Sequence, residues 1–311
     1  MKFAHIPVML EECMTALNLK DGGIYFDGTL GGAGHSEEIL RRTSPDGKLI
    51  ATDMDMEAIK NAEERLSEYD GRYRLFHRNF KDFTEIKREC GIEGFDGALL
   101  DLGVSSYQLD NRERGFSYMA RDTRLDMRMD KDNPKSAWEV VNLYEREKLA
   151  YIISTYGEER FAANIAKNIC EERKNGYIDT TGRLVDVIDK SIPYKFKQQG
   201  HPAKKTFQAI RIEVNEELDG LSECIKDIVK GLKVGGRLAV ITFHSLEDRI
   251  VKQTIKDLET DCICDKRFPI CVCGKKREVV SVNKKPIIAT EEENERNPRA
   301  KSAKLRVVEK I

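Results

Sequence analysis

The chain has 311 residues, of which 40% are hydrophobic and 34% charged, and its formal net charge is −1. That length can bury a sizeable core and hold one large domain or two modest ones. No apolar run approaches the roughly 18 residues of a membrane span, and Met1-Lys2-Phe3-Ala4-His5-Ile6-Pro7 lacks the basic-then-apolar pattern of a signal peptide, so a cytoplasmic protein without a membrane partner is expected.

Val8 to Leu19 reads as an amphipathic helix, and Ile24–Phe26 as a first strand. A glycine-rich turn, Asp27 to Ser36, separates that strand from a helix-like run over Glu37–Arg41. Lys48–Asp53 is a second strand closing on an acid, Glu57–Leu66 a helix, and Tyr73–Phe76 a third strand. Phe95–Asp101 is a fourth strand, again ending in aspartate. This alternation predicts a parallel, doubly wound α/β sheet.

The rhythm breaks over 107–205, where Trp138–Leu149, Tyr151–Ile169 and Leu184–Ile192 read as a small helical module. It resumes with one helical face running from Phe207 to Leu232, ended by Gly235-Gly236, then a fifth strand over Arg237–Phe243 and a helix over Ser245–Leu258. Glu278–Val282 and Lys304–Val308 suggest a last strand pair. The expected organisation is a discontinuous α/β domain, 1–106 with 206–311, interrupted by a helical insertion over 107–205.

Strand, glycine turn and helix form the arrangement that presents a nucleotide-like ligand to backbone amides. A dinucleotide fingerprint needs a third glycine, but Gly32-x-Gly34 is followed there by Glu37, which also opposes a pyrophosphate at a helix start. A ligand without phosphates suits the turn better, and S-adenosylmethionine is one. Asp53, 19 residues after Gly34, stands where a carboxylate accepts both ribose hydroxyls; Asp55 is its rival, and capping the next helix is the plainer role for Asp53. Phe80 follows the third strand, placed either to flank the adenine or to fill the core.

Asp101 lies at the carboxyl end of the fourth strand, on the edge that lines the crevice in open α/β sheets. No Pro-Pro-aromatic tail follows it, which argues against DNA adenine or cytosine N-methylation and against DNA as a partner. His244-Ser245 follows the fifth strand. Without a G-x-S-x-G elbow this pair does not read as a hydrolase; it either contacts a target base or caps the next helix.

Cys262-x-Cys264 and Cys271-x-Cys273 cluster near the C-terminus. Such clusters in reduced compartments bind metal more often than they form disulfides. The C-x-C spacing is not the usual C-x2-C knuckle, so a zinc site, a metal-free loop and a redox switch all stay open. Lys195, Lys197, Lys204, Lys205 and Arg211 form an acid-free basic strip, with Tyr194, Phe196 and Phe207 beside it for stacking, which points to a phosphate-rich partner. A second basic stretch runs over 275–311.

The sequence resembles the bacterial 16S ribosomal RNA cytosine N4-methyltransferase family. The blocks that carry the resemblance are His5-Ile6-Pro7-Val8, Asp27 to Ser36, Phe76-His77-x-Asn79-Phe80, Asp101 to Asp110, Arg114 to Ser117 and Leu125 to Met129. Tyr156 to Arg160, His201-Pro202-Ala203, Thr206 to Arg211, Phe243 to Arg249 and Asn297-Pro298-Arg299 complete them, so the likeness spans nearly the whole chain. It implies a Rossmann-like class I methyltransferase sheet with an inserted helical domain, and methylation of N4 of cytidine 1402 in 16S rRNA within the small ribosomal subunit. It also implies that Ala33, Gly34, His35, Asp53, Phe80, Asp101 and Gln108 contact S-adenosylmethionine. Arg124, where the family often has proline, and Lys204-Lys205, in place of a Thr-Arg pair, depart from the pattern away from those positions.

An exocyclic amine is a weak nucleophile because its lone pair is delocalised into the ring. Alignment of amine, methyl and sulfur can supply roughly 7–11 kcal/mol, and a proton acceptor at the amine helps further. Asp101 or a nearby backbone carbonyl is the candidate acceptor, with Asp101 equally able to serve the cofactor instead. A non-catalytic RNA-binding assembly factor that keeps the cofactor fold is the alternative function, and an NAD-dependent oxidoreductase the third.

Overall fold

The structure is a computed structural model describing residues 7–197, 200–265 and 270–311. The N-terminal Met1–Ile6 stretch, with the His5-Ile6 part of the first family block, lies outside the described residues. The chain divides into two compact units, Met1–Gly103 with Gly220–Ile311, and Val104–Asp219.

The first unit opens with α1 (Leu10–Leu17), β1 (Ile24–Asp27), α2 (Gly34–Arg42), β2 (Lys48–Asp53), α3 (Met56–Arg65), β3 (Tyr73–His77), α4 (Phe83–Glu89) and β4 (Phe95–Asp101). The second unit contributes α5 (Ser106–Asp110), α6 (Ala137–Leu143), α7 (Arg146–Gly157), α8 (Ala162–Glu172), α9 (Thr181–Ser191) and α10 (Lys204–Asn215). The first unit then resumes with α11 (Leu221–Gly231), β5 (Leu232–Thr242), α12 (Ser245–Glu259), β6 (Val279–Ser281), β7 (Ile287–Ile288), α13 (Glu291–Arg296) and β8 (Lys304–Lys310).

The strand order is β3-β2-β1-β4-β5-β8-β6, with β7 on β8. The first five run parallel, while β8 is antiparallel to β5, β6 and β7. Side chains alternate between the faces of a strand, and here they divide between two cores. Leu49, Ala51, Leu99, Ala239 and Ile241 join the core that includes α1, α2 and α3. Ile50, Ala98, Leu100, Leu238 and Val240 join the core under α4, α11 and α12. Burial on both faces explains why these strands read as continuous apolar runs. In the second core Phe26, Phe83 and Phe95 pack with ring centroids 4.9–5.8 Å apart. The order reverses at β1, whose neighbours β2 and β4 connect away to opposite sides; in open α/β sheets the ligand crevice lies at such a switch point, outside the carboxyl ends of the strands.

Three expectations about the later chain are corrected. The single face from Phe207 to Leu232 is two helices, because Glu216 and Gly220 adopt left-handed conformations that end α10 and precede α11. Gly235-Gly236 does not end a helix. It lies inside β5, where the register against β4 shifts between Phe95 and Gly97, as glycines do at a bulge. The interruption does not end at residue 205 either: Phe207, Ile210 and Val214 of α10 are buried in the core of the helical unit, so the boundary falls after Asp219, and its start falls after Gly103.

The helices of the second unit pack around Leu149, Ile153, Ile165, Leu184 and Ile188, and a single antiparallel bridge joins Arg124 to Thr180. The Leu125–Met129 block is part of its frame. Asp126 pairs with Arg128 through two bonds of 2.8–2.9 Å, and Asn215 donates to the Met127 carbonyl at 2.8 Å while accepting from the Met129 amide at 2.8 Å. A Cβ on Gly157 would come 2.7 Å from the Lys205 carbonyl, so that glycine lets α7 and α10 approach closely.

Candidate functional site

The glycine turn is built by side chains that hold its backbone open. Asp27 ends β1 fully buried, accepting from the Thr29 amide at 3.0 Å and the Ser36 hydroxyl at 2.7 Å. Thr29 Oγ1 accepts from the Asp101 amide at 2.6 Å, which ties the turn to the end of β4. The Thr52 hydroxyl donates to the Gly28 carbonyl at 3.1 Å. A Cβ on Gly28 would meet Leu100 at 2.4 Å and the Phe80 Cβ at 2.8 Å, and one on Gly34 would meet Pro7 at 2.3 Å. Ala33, φ +56°, takes a left-handed conformation with its side chain buried. Sequence reasoning missed Thr29, Ser36 and Thr52; three hydroxyl residues in or facing a glycine turn are the signal that identifies them.

Asp55, and not Asp53, takes the capping role at α3, its Oδ1 accepting from the Glu57 amide at 3.0 Å. Asp53 instead accepts from the Gly31 amide at 2.8 Å and from the Asp55 amide at 2.8 Å, so it clamps the glycine turn to β2. Burial raises its pKa from the ordinary value to about 6. Glu37 is not a bare negative charge at the start of α2, since Arg65 pairs with it at 2.6 Å and donates to the Gly32 carbonyl at 2.7 Å. The turn therefore disfavours phosphate less through Glu37 than through the acids behind it.

Those acids give the crevice its character. Burial pushes the Asp101 carboxyl well above its usual range, with the charges of Asp27 and Glu247 adding to the rise. Its Oδ1 is buried without a hydrogen-bond partner, and His35 Nδ1 stands 3.9 Å from its other oxygen. His35 is buried, with Nε2 3.0 Å from the Val8 carbonyl. A buried carboxylate beside two further acids, with one oxygen unpaired, fits a cationic ligand. The sulfonium and ammonium of S-adenosylmethionine meet that requirement, and the pyrophosphate of NAD does not.

Of the sequence-predicted residues, Ala33, Gly34, His35, Asp53 and Asp101 surround the carboxyl ends of β1, β2 and β4. Phe80 is half-buried, its Cβ against Gly28, and it packs on the second sheet core. Gln108 belongs to the helical unit. It is buried, and its Oε1 accepts from the Ser105 amide at 3.0 Å in the capping box of α5. His244 takes the capping alternative, with Nδ1 accepting from the Glu247 amide at 3.4 Å to start α12. Glu247 is buried and returns the bond, its Oε2 accepting from the His244 amide at 3.3 Å and also from the Phe243 amide at 2.8 Å. Ser245 opens α12 and is exposed.

In the helical unit, Tyr194 is 82% exposed and Phe196 39% exposed, while Phe207 is only 3% exposed. Phe207 is thus removed from the stacking set, because it is core and packs edge-on to Tyr118 at 5.9 Å. Lys195, Lys204 and Lys205 are exposed, whereas Lys197 pairs with Asp189 at 2.7 Å and Arg211 with Glu217 at 2.8 Å. Cys262, Cys264, Cys271 and Cys273 gather in the connection between α12 and β6. No described helix is long and apolar enough to cross a membrane.

Residues 2–311 match the MraW methylase family. The chain is 54% identical over 311 residues to Ribosomal RNA small subunit methyltransferase H of Clostridium botulinum (strain Kyoto / Type A2), covering 100% of both proteins. It is 54% identical over 312 residues to the protein of the same name from Clostridioides difficile (strain 630), again covering 100% of each.

Proposed function

This chain belongs to the MraW methylase family, and from that premise we propose that it transfers a methyl group from S-adenosylmethionine to N4 of cytidine 1402 of 16S rRNA, with the RNA held in the small ribosomal subunit in the cytoplasm. The observation that carries the reading is the buried, partly unpaired Asp101 among like charges at the switch point of the sheet. When bound, S-adenosylmethionine supplies an activated methyl on a sulfonium. Asp101 and His35 hold the cationic end of the cofactor, Asp53 accepts from its ribose hydroxyls, and the Gly31–Gly34 backbone gives the close approach that side chains would block. Phe80 flanks the adenine.

Asp101 is committed to the cofactor in this reading, which leaves the proton of the target amine to a backbone carbonyl at the end of β4 or to water. His244 is a positioning residue: it fixes the turn after β5 on the same edge, and Ser245, beside it, faces the RNA. Tyr194 and Phe196 stack on unpaired bases while Lys195, Lys204 and Lys205 meet phosphates. The target base leaves its stack to reach the crevice, as enzymes acting on base edges require.

The test is to incubate the protein and tritiated S-adenosylmethionine with small subunits lacking this methyl group, and in parallel with free 16S rRNA. Label mapped to one cytidine of the subunits is expected, with far less on free RNA. Cofactor binding without label on either substrate supports the assembly-factor alternative and overturns the reading.

A further inference from the structure

The connection from α12 to β6 holds four cysteines that methyl transfer does not use. Cys262 and Cys264 form one C-x-C arm, and Cys271 and Cys273 the other. The arms face each other: the Ile263 amide donates to Cys273 Sγ at 3.5 Å, and the Val272 amide to Cys264 Sγ at 3.3 Å. Cys262 and Cys271 sulfurs are 3.5 Å apart, as are those of Cys271 and Cys273. Cys264 and Cys271 are 3.9 Å apart, and so are Cys262 and Cys273. All four sulfurs lie within 4.8 Å of one another.

These separations discriminate between chemistries. A disulfide needs sulfurs about 2.05 Å apart, and all four cysteines are free. Four thiolates about a zinc ion, with Zn–S near 2.3 Å, form a tetrahedron with edges of about 3.8 Å. The observed distances bracket that value. Among the described residues the large apolar side chains of the arms are not buried: Ile263, Ile270 and Val272 are 69%, 76% and 77% exposed. Ordering a backbone costs entropy that apolar burial normally offsets; the described residues of the arms supply little such burial, and a cross-linking ion would supply the offset. Amides directed at the sulfurs of Cys264 and Cys273 are the second-layer bonds that orient and stabilise charged ligands.

We propose that Cys262, Cys264, Cys271 and Cys273 bind one zinc ion in a closed tetrathiolate site that fixes this connection. Four protein ligands fill the tetrahedron, so the ion is structural and offers no open position to a substrate. The thiols coordinate as thiolates and release their protons to solvent on binding.

Elemental analysis of the full-length protein, purified anaerobically without chelator, tests the site. One zinc per chain is expected, falling to below about 0.2 in Cys264→Ser and Cys273→Ser and staying at one in Cys170→Ser. The cobalt-exchanged protein should show the intense visible bands of tetrahedral thiolate coordination. This second measurement, made on the unaltered chain, keeps the test decisive if a serine variant fails to fold. Protein free of metal whose four thiols react freely with a thiol reagent overturns the proposal, as does iron in place of zinc, or two disulfides in the mass spectrum of the anaerobic preparation.

Discussion

Asp101 stands where stability and function oppose each other. Its carboxyl titrates above the value of an unfolded chain, so the folded state binds the proton more tightly, and its ionised form weakens the fold as pH rises above about 4. Asp101→Asn is therefore expected to raise Tm at pH 7.5, with the gain vanishing toward pH 4, while cofactor affinity falls by roughly 10- to 100-fold for a lost charge-assisted contact. Calorimetry and titration read the two effects separately, and a variant that loses both would mean that the carboxylate is structural. Asp53 sets a second pH dependence. A ligand that donates hydrogen bonds to a carboxylate prefers the ionised form, so with a pKa of about 6 in the free protein, cofactor affinity should be flat above pH 7 and drop about tenfold per unit below 6. Asp53→Asn should bind weakly and lose that slope. Both aspartates were legible in the sequence because each ends an apolar strand. The division of labour between Asp53 and Asp55 was not, because either can cap a helix and only the backbone path shows which amides each one meets.

The turns at the carboxyl edge hold the next level of argument. His244 and Glu247 close a reciprocal cap on α12, and a lost cap costs about 1 kcal/mol. His244→Ala should lower stability to urea by that amount and reduce turnover while leaving cofactor affinity within about twofold. Asparagine also caps well, so His244→Asn should restore both stability and turnover. Recovery of stability alone would place the imidazole against the target base. Gly28→Ala would drive a methyl into Leu100 and Phe80, and overpacking of that kind typically costs about 1–3 kcal/mol in denaturant unfolding. The parallel strands were readable because their two buried faces give unbroken apolar runs. The break between α10 and α11 was not, since Val214, Leu218 and Leu221 continue one helical spacing across it; the left-handed Glu216 and Gly220 that interrupt it leave the periodicity untouched.

For the molecule as a whole, the glycine turn and the strand-end aspartates proposed for the cofactor lie in the first unit, and the exposed lysines proposed for RNA lie in the second. Replacing Lys195, Lys204 and Lys205 together with glutamine should weaken small-subunit binding, and should reduce the slope of log K against log salt by about 2, at roughly 0.7 per phosphate contact. Cofactor affinity, measured by calorimetry, should not change. A salt slope equal to that of the unaltered protein would move the RNA surface elsewhere, the basic 275–311 stretch being the next place to look. The existence of the helical interruption was evident from the lapse of strands, but its limits were not, because a helix shows its period and not the core it joins. The interruption also bears on the order of assembly. β4 and β5 are sheet neighbours, yet the entire Val104–Asp219 unit lies between them in the chain. A ribosome translating this protein therefore releases a complete helical body before it releases the strand that β4 is waiting for. If that body folds early, it shortens a loop whose closure would otherwise be slow. Destabilising its interior should then delay formation of the cofactor crevice in refolding experiments, even though the crevice residues from Ala33 to Asp101 are untouched.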